Sequence, residues 1–308
     1  MVDVIIIGGS YAGLSAAMQL GRARRRVLII DAGAPRNRFA AHSHGFFGQD
    51  GWQPAAMIAA ARAQVLAYPS VAFVAGTAAH AARQEAGFVV TLADGQQHTA
   101  ARLILATGVT DVLPDLPGAR ERWGVTLLHC PYCHGYEVAG GPLGVLDLSN
   151  RVMPGSDGTA LMSIHHATLI ADWGPVTLFT NSFAMDDAAV GTLRARSITV
   201  ETTPVAALVG ETPAQVAVAL ADGRTVPVRA VFGGFPTVMT SPLAEQLGCI
   251  FEAGMVGPVI QTNDWKETSV PGVFAAGDAA TPMHNATLAS ADGVKAGASA
   301  HRSLVFTH

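Results

Sequence analysis

Residues 2–13 read Val-Asp-Val-Ile-Ile-Ile-Gly-Gly-Ser-Tyr-Ala-Gly, an apolar run that ends in a glycine-rich turn. An almost unbroken apolar run of this length is typical of a parallel strand that is buried on both faces. Residues 12–22, rich in alanine and leucine, then predict a helix, and the apolar residues 27–30, closed by Asp31, predict a second strand. Together these segments predict a strand–helix–strand unit of about 30 residues.

The turn itself carries a nucleotide-binding pattern. Gly8 to Gly13 matches G-x-G-x-x-G except that Ser10 replaces the second glycine, and Asp31 follows 18 residues after Gly13. Gly8 permits the tight turn, Gly13 allows close packing of helix and strand, and the free N–H groups of the helix start can bind a pyrophosphate. Asp31 can accept hydrogen bonds from a ribose. The alternative is a glycine-rich turn in an unrelated α/β protein.

A second strand–helix–strand pattern follows in the middle of the chain. Its segments are residues 143–148, 159–173 and 176–180, and a hairpin is predicted from strands at 216–220 and 226–231. A small-residue strand at 273–276 ends at Gly277-Asp278, and a closing helix is predicted over 287–304. These patterns predict an α/β fold with two nucleotide-binding-type domains, each Rossmann-like and built from three layers in the order ββα.

Composition narrows the class of protein. The length of 308 residues allows one large domain or two of ordinary size, and a composition of 50% apolar and 14% charged residues is enough to bury a real core. The formal net charge of -4 provides no electrostatic reason to expect nucleic acid as a partner. No apolar stretch reaches the roughly 18 residues of a membrane helix, and the N-terminus lacks a signal-peptide pattern. We therefore expect a soluble, cytoplasmic protein without a membrane partner.

The second motif is a closely spaced cysteine pair. Residues 129–137 read His-Cys-Pro-Tyr-Cys-His-Gly-Tyr-Glu. Two thiols three residues apart can close a small disulfide, and a helix N-terminus favours the thiolate. Two alternatives are a zinc site formed by these cysteines and their flanking histidines, and purely structural cysteines. The third cysteine, Cys249, stands alone in an apolar setting, which predicts core packing.

The motifs together resemble one family of flavoproteins. The first loop, Ala106-Thr107-Gly108 and Gly277-Asp278 resemble the FAD-binding segments of flavoprotein disulfide reductases with two dinucleotide domains. The Cys-x-x-Cys-His motif resembles short thioredoxin reductases, and more closely their relatives, the dithiol oxidases of the gliotoxin and holomycin type. The resemblance implies that the chain binds FAD and that it forms the homodimer usual in this family. It also implies a discontinuous FAD-binding domain at residues 1–116 and 244–308. Residues 117–243 would form the central pyridine-nucleotide-type domain that carries the cysteine pair.

The resemblance also implies roles for individual residues. Cys133 would face the flavin, Cys130 would exchange with the substrate, and His134 would be the acid/base, because imidazole titrates near neutral pH. No metal site is implied. The cofactor-binding residues would be Gly8, Ser10, Ala12, Gly13, Asp31, Arg36, His44, Gln49, Thr107, Gly108, Gly277, Asp278, Asn285 and Ala286.

The chain departs from the ordinary reductases at the second nucleotide site. No G-x-G-x-x-G follows residues 143–148, the loop at 149–158 is altered, and residues 181–187 offer two acids and no base for a 2′-phosphate. We therefore expect a FAD-dependent thiol-disulfide oxidoreductase that oxidises a dithiol, either a small molecule or a thioredoxin-like protein. Oxygen or another electron partner would take the electrons. The alternatives are a thioredoxin reductase fed by NADPH or ferredoxin, with a diverged but working NADPH site, and a non-catalytic scaffold.

Overall fold

The computed structural model describes residues 1–147, 158–182 and 185–306, and for residues 158–161 it describes the backbone alone. The chain divides into two compact units. The first comprises Met1–Arg38, Phe46–Thr110 and the segment from Thr237 to the C-terminus; the second comprises Phe39–Gly45 and Asp111–Pro236. Each unit has its own parallel sheet and its own apolar cores, so each is described by itself.

The first unit is built on a seven-stranded sheet. Its strands are β1 (Val2–Ile7), β2 (Val27–Asp31), β3 (Val71–Ala75), β4 (Ala78–Gln84), β5 (Gly87–Leu92), β6 (Gln97–Leu105) and β19 (Val273–Ala275). Strands β3, β2, β1, β6 and β19 run parallel in that order, while β5 and β4 extend the sheet as an antiparallel ribbon beside the first half of β6. The predicted strand–helix–strand unit at the N-terminus is confirmed.

Two apolar cores lie on the two faces of this sheet. Along β1, Val4 and Ile6 belong to the core on one face, and Ile5 and Ile7 belong to the core on the other, as the two-residue period of a strand requires. Three helices carry residues of the first core: α1 (Tyr11–Arg22), α2 (Pro54–Leu66) and α8 (Ala286–Val305). Helices α1 and α8 pack closely, because a Cβ atom added to Gly297 would lie 2.6 Å from the Ala16 carbonyl oxygen.

Smaller elements complete the first unit. The short strands are β7 (Val109–Asp111), which pairs with β16 (Thr237–Met239), and the hairpin of β17 (Phe251–Ala253) and β18 (Pro258–Ile260). The short helices are α7 (Leu243–Gln246) and 3₁₀ turns at Arg36–Phe39 and Gly277–Ala279. No described helix has the length and apolar composition needed to cross a membrane.

The second unit contains a parallel sheet and an antiparallel one. The parallel sheet has the order β11 (Thr199–Glu201), β10 (Val176–Phe179), β9 (Leu143–Leu146), β15 (Ala230–Gly233) and β8 (Leu127–Leu128). The antiparallel sheet consists of β12 (Val205–Val209), β13 (Val216–Leu220) and β14 (Thr225–Val228). The helices are α3 (Ala119–Arg122), α4 (Pro131–His134), α5 (Gly158–Ile170) and α6 (Asp187–Ala195).

One predicted strand is wrong. The apolar run 226–231 was expected to be a single hairpin strand, but β14 ends at Val228 and β15 begins at Ala230, in a different sheet. Arg229 lies at the break, where its N–H donates to the Pro142 carbonyl at 2.7 Å and its Nη1 donates to the Ala139 carbonyl at 2.7 Å. These bonds turn the chain from one sheet into the other. The predicted α/β class, with two units built on parallel sheets, is confirmed.

Candidate functional site

The glycine loop between β1 and α1 has no room for side chains. A Cβ atom added to Gly8, whose φ is +106°, would lie 2.2 Å from the Ala106 carbonyl oxygen, and one added to Gly13 would lie 1.8 Å from the Gly8 carbonyl oxygen. Ser10 occupies the N-cap of α1, but its side chain makes no capping hydrogen bond, and the first turn contains no acidic residue. The N–H groups of the helix start are therefore available to an anion. A tight turn that opens a helix in this way fits the pyrophosphate of a dinucleotide.

Asp31 at the end of β2 is tied to the loop. Its Oδ1 accepts a hydrogen bond from the Gly9 N–H at 3.0 Å, and its Oδ2 lies 3.3 Å from Nη2 of Arg62. Sequence reasoning assigned Asp31 but missed Arg62. The available signal was that Arg62 is the one charged residue of the predominantly apolar helix α2. Its guanidinium also stacks over the Phe73 ring, 4.3 Å from the centroid.

The last third of the chain returns to this loop. Gly277 follows β19 with a φ of +72°, and a Cβ atom added to it would lie 3.0 Å from the Ala12 Cβ. The next residue, Asp278, forms an ion pair with Arg36 at 2.9 Å, and both side chains are largely buried. The structure thus brings together Ala12, Arg36, Gly277 and Asp278, which were assigned to the cofactor from distant parts of the sequence.

The other assigned residues of the first unit have defined places. Thr107 and Gly108 follow the end of β6, and Gly108 has a φ of +64° with open space around it. Asn285 is the N-cap of α8, where its side-chain oxygen accepts hydrogen bonds from the N–H groups of the first turn, and Ala286 is the first helical residue. Gln49 lies in a turn, where its N–H donates to the Phe46 carbonyl at 3.0 Å.

The cysteine pair lies in the second unit as a closed disulfide. Cys130 and Cys133 are bonded, with a Cα–Cα distance of 5.3 Å. Cys130 is the N-cap of the single-turn helix α4, Pro131 occupies its first position, and the Cys133 N–H donates to the Cys130 carbonyl at 3.3 Å. Proline is favoured there because the first helical N–H has no partner within the helix. Both cysteines are partly exposed. The turn therefore holds the two sulfur atoms at bonding distance and in reach of another thiol.

Aromatic rings support the pair on both sides. His129, before Cys130, stacks on Trp123 with ring centroids 5.6 Å apart. Tyr132, between the cysteines, makes an edge-on contact with Trp173 at 5.7 Å. Aromatic contacts of this type add about 0.5–1.5 kcal/mol beyond the burial of area. The segment around the disulfide is therefore anchored by packing at its first and its middle residues.

His134, directly after the pair, is held as a neutral base. Burial lowers the pKa of this imidazole, the carboxylate of Glu137 opposes the shift, and the nearby His44 adds to it. His44 Nε2 lies 3.5 Å from Glu137 Oε1. The assignment of His44 to the cofactor stays a prediction; in the structure His44 lies in the second unit against Glu137. Sequence reasoning left Glu137 without a role, although it lies in the quoted cysteine motif.

The second nucleotide site is described only in part. The altered loop at 149–158 falls almost wholly within residues 148–157, outside the described residues. The acid Asp186 caps α6 by accepting a hydrogen bond from the Ala189 N–H at 2.8 Å. Asn181 uses its side-chain oxygen to accept a bond from the Val205 N–H at 3.1 Å. Both side chains thus serve the local structure.

The third cysteine lies outside the Cys-x-x-Cys motif, and the zinc alternative requires a cluster of metal-binding side chains. Cys249 is buried in the core of the first unit, 3.6 Å from the Thr268 hydroxyl, and burial raises the pKa of its thiol. Its predicted core packing is confirmed. Within residues 1–147, 158–182 and 185–306, no group of three or more His, Cys, Asp or Glu is arranged to hold a metal ion.

Comparison with known proteins gives consistent matches over the whole chain. The family model described as pyridine nucleotide-disulphide oxidoreductase matches residues 2–156 and 158–293. A protein of Claviceps purpurea named thioredoxin reductase tcpT is 33% identical over 315 residues, which cover 99% of this chain and 95% of the relative. Thioredoxin reductase sirT of Leptosphaeria maculans is 32% identical, covering 96% and 92%. The crystal structure of an oxidoreductase from Agrobacterium tumefaciens is 47% identical, with a TM-score of 0.92 and coverage of 100% and 99%.

Proposed function

The chain belongs to the pyridine nucleotide-disulphide oxidoreductase family, and we propose that within this family it oxidises a dithiol through the Cys130–Cys133 disulfide. It is a thioredoxin-reductase-like enzyme that uses FAD. The single observation that carries the proposed chemistry is the disulfide at the start of α4, followed directly by a histidine held neutral. A closed disulfide is the electron-accepting form of the pair, and a neutral imidazole can accept a proton near neutral pH.

The first unit is proposed as the FAD-binding domain. Its glycine loop would hold the pyrophosphate through the N–H groups at the start of α1, and Asp31 would hold the ribose. The other cofactor contacts proposed from the family are those of Thr107, Asp278 and Ala286, with the Arg36–Asp278 ion pair beside the loop. When bound, FAD supplies a two-electron carrier between the cysteine pair and the final electron acceptor.

The proposed exchange with the dithiol uses only the sulfur atoms of the substrate and of the cysteine pair. A substrate thiolate attacks the Cys130 sulfur, a substrate–Cys130 bond forms, and the Cys130–Cys133 bond breaks with Cys133 leaving as a thiolate. The second substrate thiol then loses its proton and attacks the substrate sulfur of the mixed disulfide, which releases Cys130. The substrate leaves as a disulfide, oxidised by two electrons, and the enzyme pair is left as a reduced dithiol with those electrons.

His134 is proposed as the base of this sequence. The second substrate thiol must be deprotonated before it can attack, and a neutral imidazole directly after Cys133 can take that proton. Because burial lowers the pKa of His134, its imidazole stays neutral, and so able to accept a proton, at pH values at which a free histidine is already protonated. In the reverse direction the same residue, once protonated, would protonate the leaving thiolate.

Oxidation of the dithiol is favoured over reduction of a disulfide by NADPH. The sequence after β9 lacks the glycine pattern of a nucleotide loop, and the acid Asp186 is used as a helix cap. Asn181, at the end of β10, is engaged with the backbone of β12. A 2′-phosphate needs arginine or lysine, and residues 181–187 contain neither. We propose oxygen or another external acceptor as the destination of the electrons, and a homodimer in the cytoplasm as the working form.

The test is an anaerobic reduction of the FAD-loaded protein. Dithiothreitol should bleach the flavin absorbance quickly, whereas millimolar NADPH should bleach it slowly or not at all. The Cys133→Ser variant should bind FAD normally but fail to respond to dithiothreitol. The Cys249→Ala variant is the matched control, because Cys249 is buried in a core, and it should respond as the unmodified protein does.

Two results would overturn the proposal. Rapid, saturable bleaching by micromolar NADPH would show that the protein works as a reductase, as the names of its relatives say. Bleaching of the Cys133→Ser variant by dithiothreitol at the normal rate would remove the cysteine pair from the electron path. A size measurement at the same protein concentration tests the homodimer separately.

A further inference from the structure

A cavity of about 640 Å³ opens in the first unit, away from the glycine loop. Its walls come from the β4–β5 turn, the middle of β6, residues 263–267, Pro271-Gly272 and the end of α8. Strand β6 runs from this cavity towards Ala106, which contacts the glycine loop. Arg102 in the cavity wall precedes Ala106 by four residues, so about 13 Å of extended chain separates the two sites. The volume lies within the range of small-molecule sites.

The cavity has an excess of unpaired positive charge. Arg83, Arg102 and Arg302 line it, against Glu85 and Glu267. Among the described residues, none of these five side chains forms an ion pair. The Glu267 carboxylate already accepts a hydrogen bond from the Gly272 N–H at 2.9 Å. The positive charges of the three arginines are therefore not neutralised by an ion pair with a carboxylate of the cavity wall.

Two of the three arginines, Arg102 and Arg302, are held in place without being neutralised. Arg102 donates from Nε to the Ser303 hydroxyl and from Nη2 to the Ser303 carbonyl, both at 2.8 Å. The Arg302 guanidinium lies 4.8 Å from the Trp265 ring centroid and 5.9 Å from that of Phe306. Cation–π contacts orient an arginine but leave its N–H groups open to an acceptor. The guanidinium of Arg302 is thus preorganised for an anion.

Two further features of the wall point to a ligand. Trp265 is 57% exposed although it stacks with Arg302, so much of its indole surface is open to a flat partner. Ser299 on α8 is 6% exposed, and its hydroxyl has no hydrogen-bond partner. Buried hydroxyl groups without a partner are uncommon in folded proteins and call for a specific explanation.

We propose that this cavity binds a small organic anion that carries a flat ring, with the anionic group paired to Arg302 and the ring against Trp265. Arg83, which also lines the cavity, adds to the positive field. Neither cysteine of the pair and no residue of the glycine loop lines this cavity, and the proposal does not depend on the direction of the redox reaction. Carboxylates and phosphates both suit an arginine, so the test distinguishes them.

The test is calorimetric titration of the FAD-loaded protein with four probes. AMP and benzoate carry both a ring and an anionic group, adenosine carries the ring without the charge, and inorganic phosphate carries the charge without a ring. We expect saturable binding of AMP or benzoate at one site per chain, and weaker or no binding of adenosine and phosphate. The tighter of the first two identifies the anionic group.

Variants connect the binding to the cavity. Arg302→Gln should weaken the better probe at least tenfold, because a charge-assisted contact is lost, and Trp265→Leu should weaken it while leaving phosphate unchanged. Arg22→Gln, an exposed arginine at the end of α1, is the matched control and should bind as the unmodified protein does. The FAD content of each variant reports on its folding. No binding of AMP or benzoate at millimolar concentration, equal binding of adenosine, or unchanged binding by Arg302→Gln would each overturn the proposal.

Discussion

Replacing Gly13 by alanine tests whether the glycine loop holds FAD. The added Cβ atom would lie 1.8 Å from the Gly8 carbonyl oxygen and 2.9 Å from the Gly8 carbonyl carbon. Carbon and oxygen atoms that are not bonded stay at least about 3 Å apart, so the loop and the helix must separate by more than about 1 Å. The obstacle is backbone on both sides, so rotation of a side chain cannot relieve it.

The expected loss of affinity follows from that separation. A hydrogen bond from a backbone N–H to a phosphate oxygen does not survive a displacement of about 1 Å. Each charge-assisted bond is worth about 1.5–3 kcal/mol, so losing two weakens FAD binding by about 3–6 kcal/mol. That corresponds to a factor of roughly 10² to 10⁴ in the dissociation constant. Overpacking should also lower the free energy of unfolding by about 1–3 kcal/mol.

The assay measures the FAD content after purification and the FAD affinity of the apoprotein by fluorescence titration. Thermal unfolding of the same variants measures their stability. Gly297→Ala is the packing control, because its Cβ atom meets Ala16 in the middle of α1, further along the helix than the loop. Gly191→Ala is the neutral control, since nothing lies within 4 Å of that position in α6. Normal FAD affinity of Gly13→Ala would refute the reasoning, and equal loss in Gly297→Ala would assign the effect to helix packing.

Four other variants test electrostatics and capping. Glu137→Gln removes the carboxylate that raises the pKa of His134, so the acid limb of the pH profile of dithiol oxidation should move to lower pH. His44→Gln removes a group that lowers the same pKa, so it should move the acid limb to higher pH. Movement in the same direction by both variants would contradict the assigned charges. Burial lowers the pKa of His166 to about 4, so its protonation favours the unfolded chain below the ordinary value of 6.5. Stability should therefore fall by up to about 3 kcal/mol as the pH drops from 6.5 to 4, and urea unfolding of His166→Gln should show a flatter pH dependence; an unchanged slope would exclude this histidine as the source. Asn285→Ala removes the N-cap of α8 and should reduce stability by about 1 kcal/mol in urea unfolding, and a smaller effect than that of an exposed surface substitution would show that the cap is not needed.

The parts of the fold that follow from local pattern could be predicted. The β1–α1–β2 unit was predictable because a buried strand, a glycine turn and an apolar helix face are each encoded within about a dozen residues. The break at Arg229 was not, because the segments on either side are both apolar and extended. What separates them is the identity of their partners, β13 for one and β9 for the other. Those partners are set by tertiary packing, which no short window contains.

The place of His44 shows the same limit at the candidate site. Residues 40–49 have no apolar period, so the sequence offered only the position of a loop in a family pattern. The structure places His44 against Glu137, 93 residues further along the chain. The cysteine pair could be predicted because both sulfur atoms lie in one turn, whereas the environment that sets the pKa of His134 includes His44, which lies 90 residues earlier in the chain.

Asp31 shows why a recognised motif does not by itself define a set of ligand contacts. The pattern assigns this carboxylate to a ribose, yet one of its oxygens already accepts the Gly9 N–H and the other faces Arg62. An ionised carboxylate has about four acceptor positions, so a ribose hydroxyl can still be bound beside these two partners. The Gly9 bond fixes the loop relative to β2, and the contact with Arg62 fixes the position of the second carboxylate oxygen. Part of what the motif encodes is therefore the shape of an anion-binding loop, which exists before the cofactor is bound.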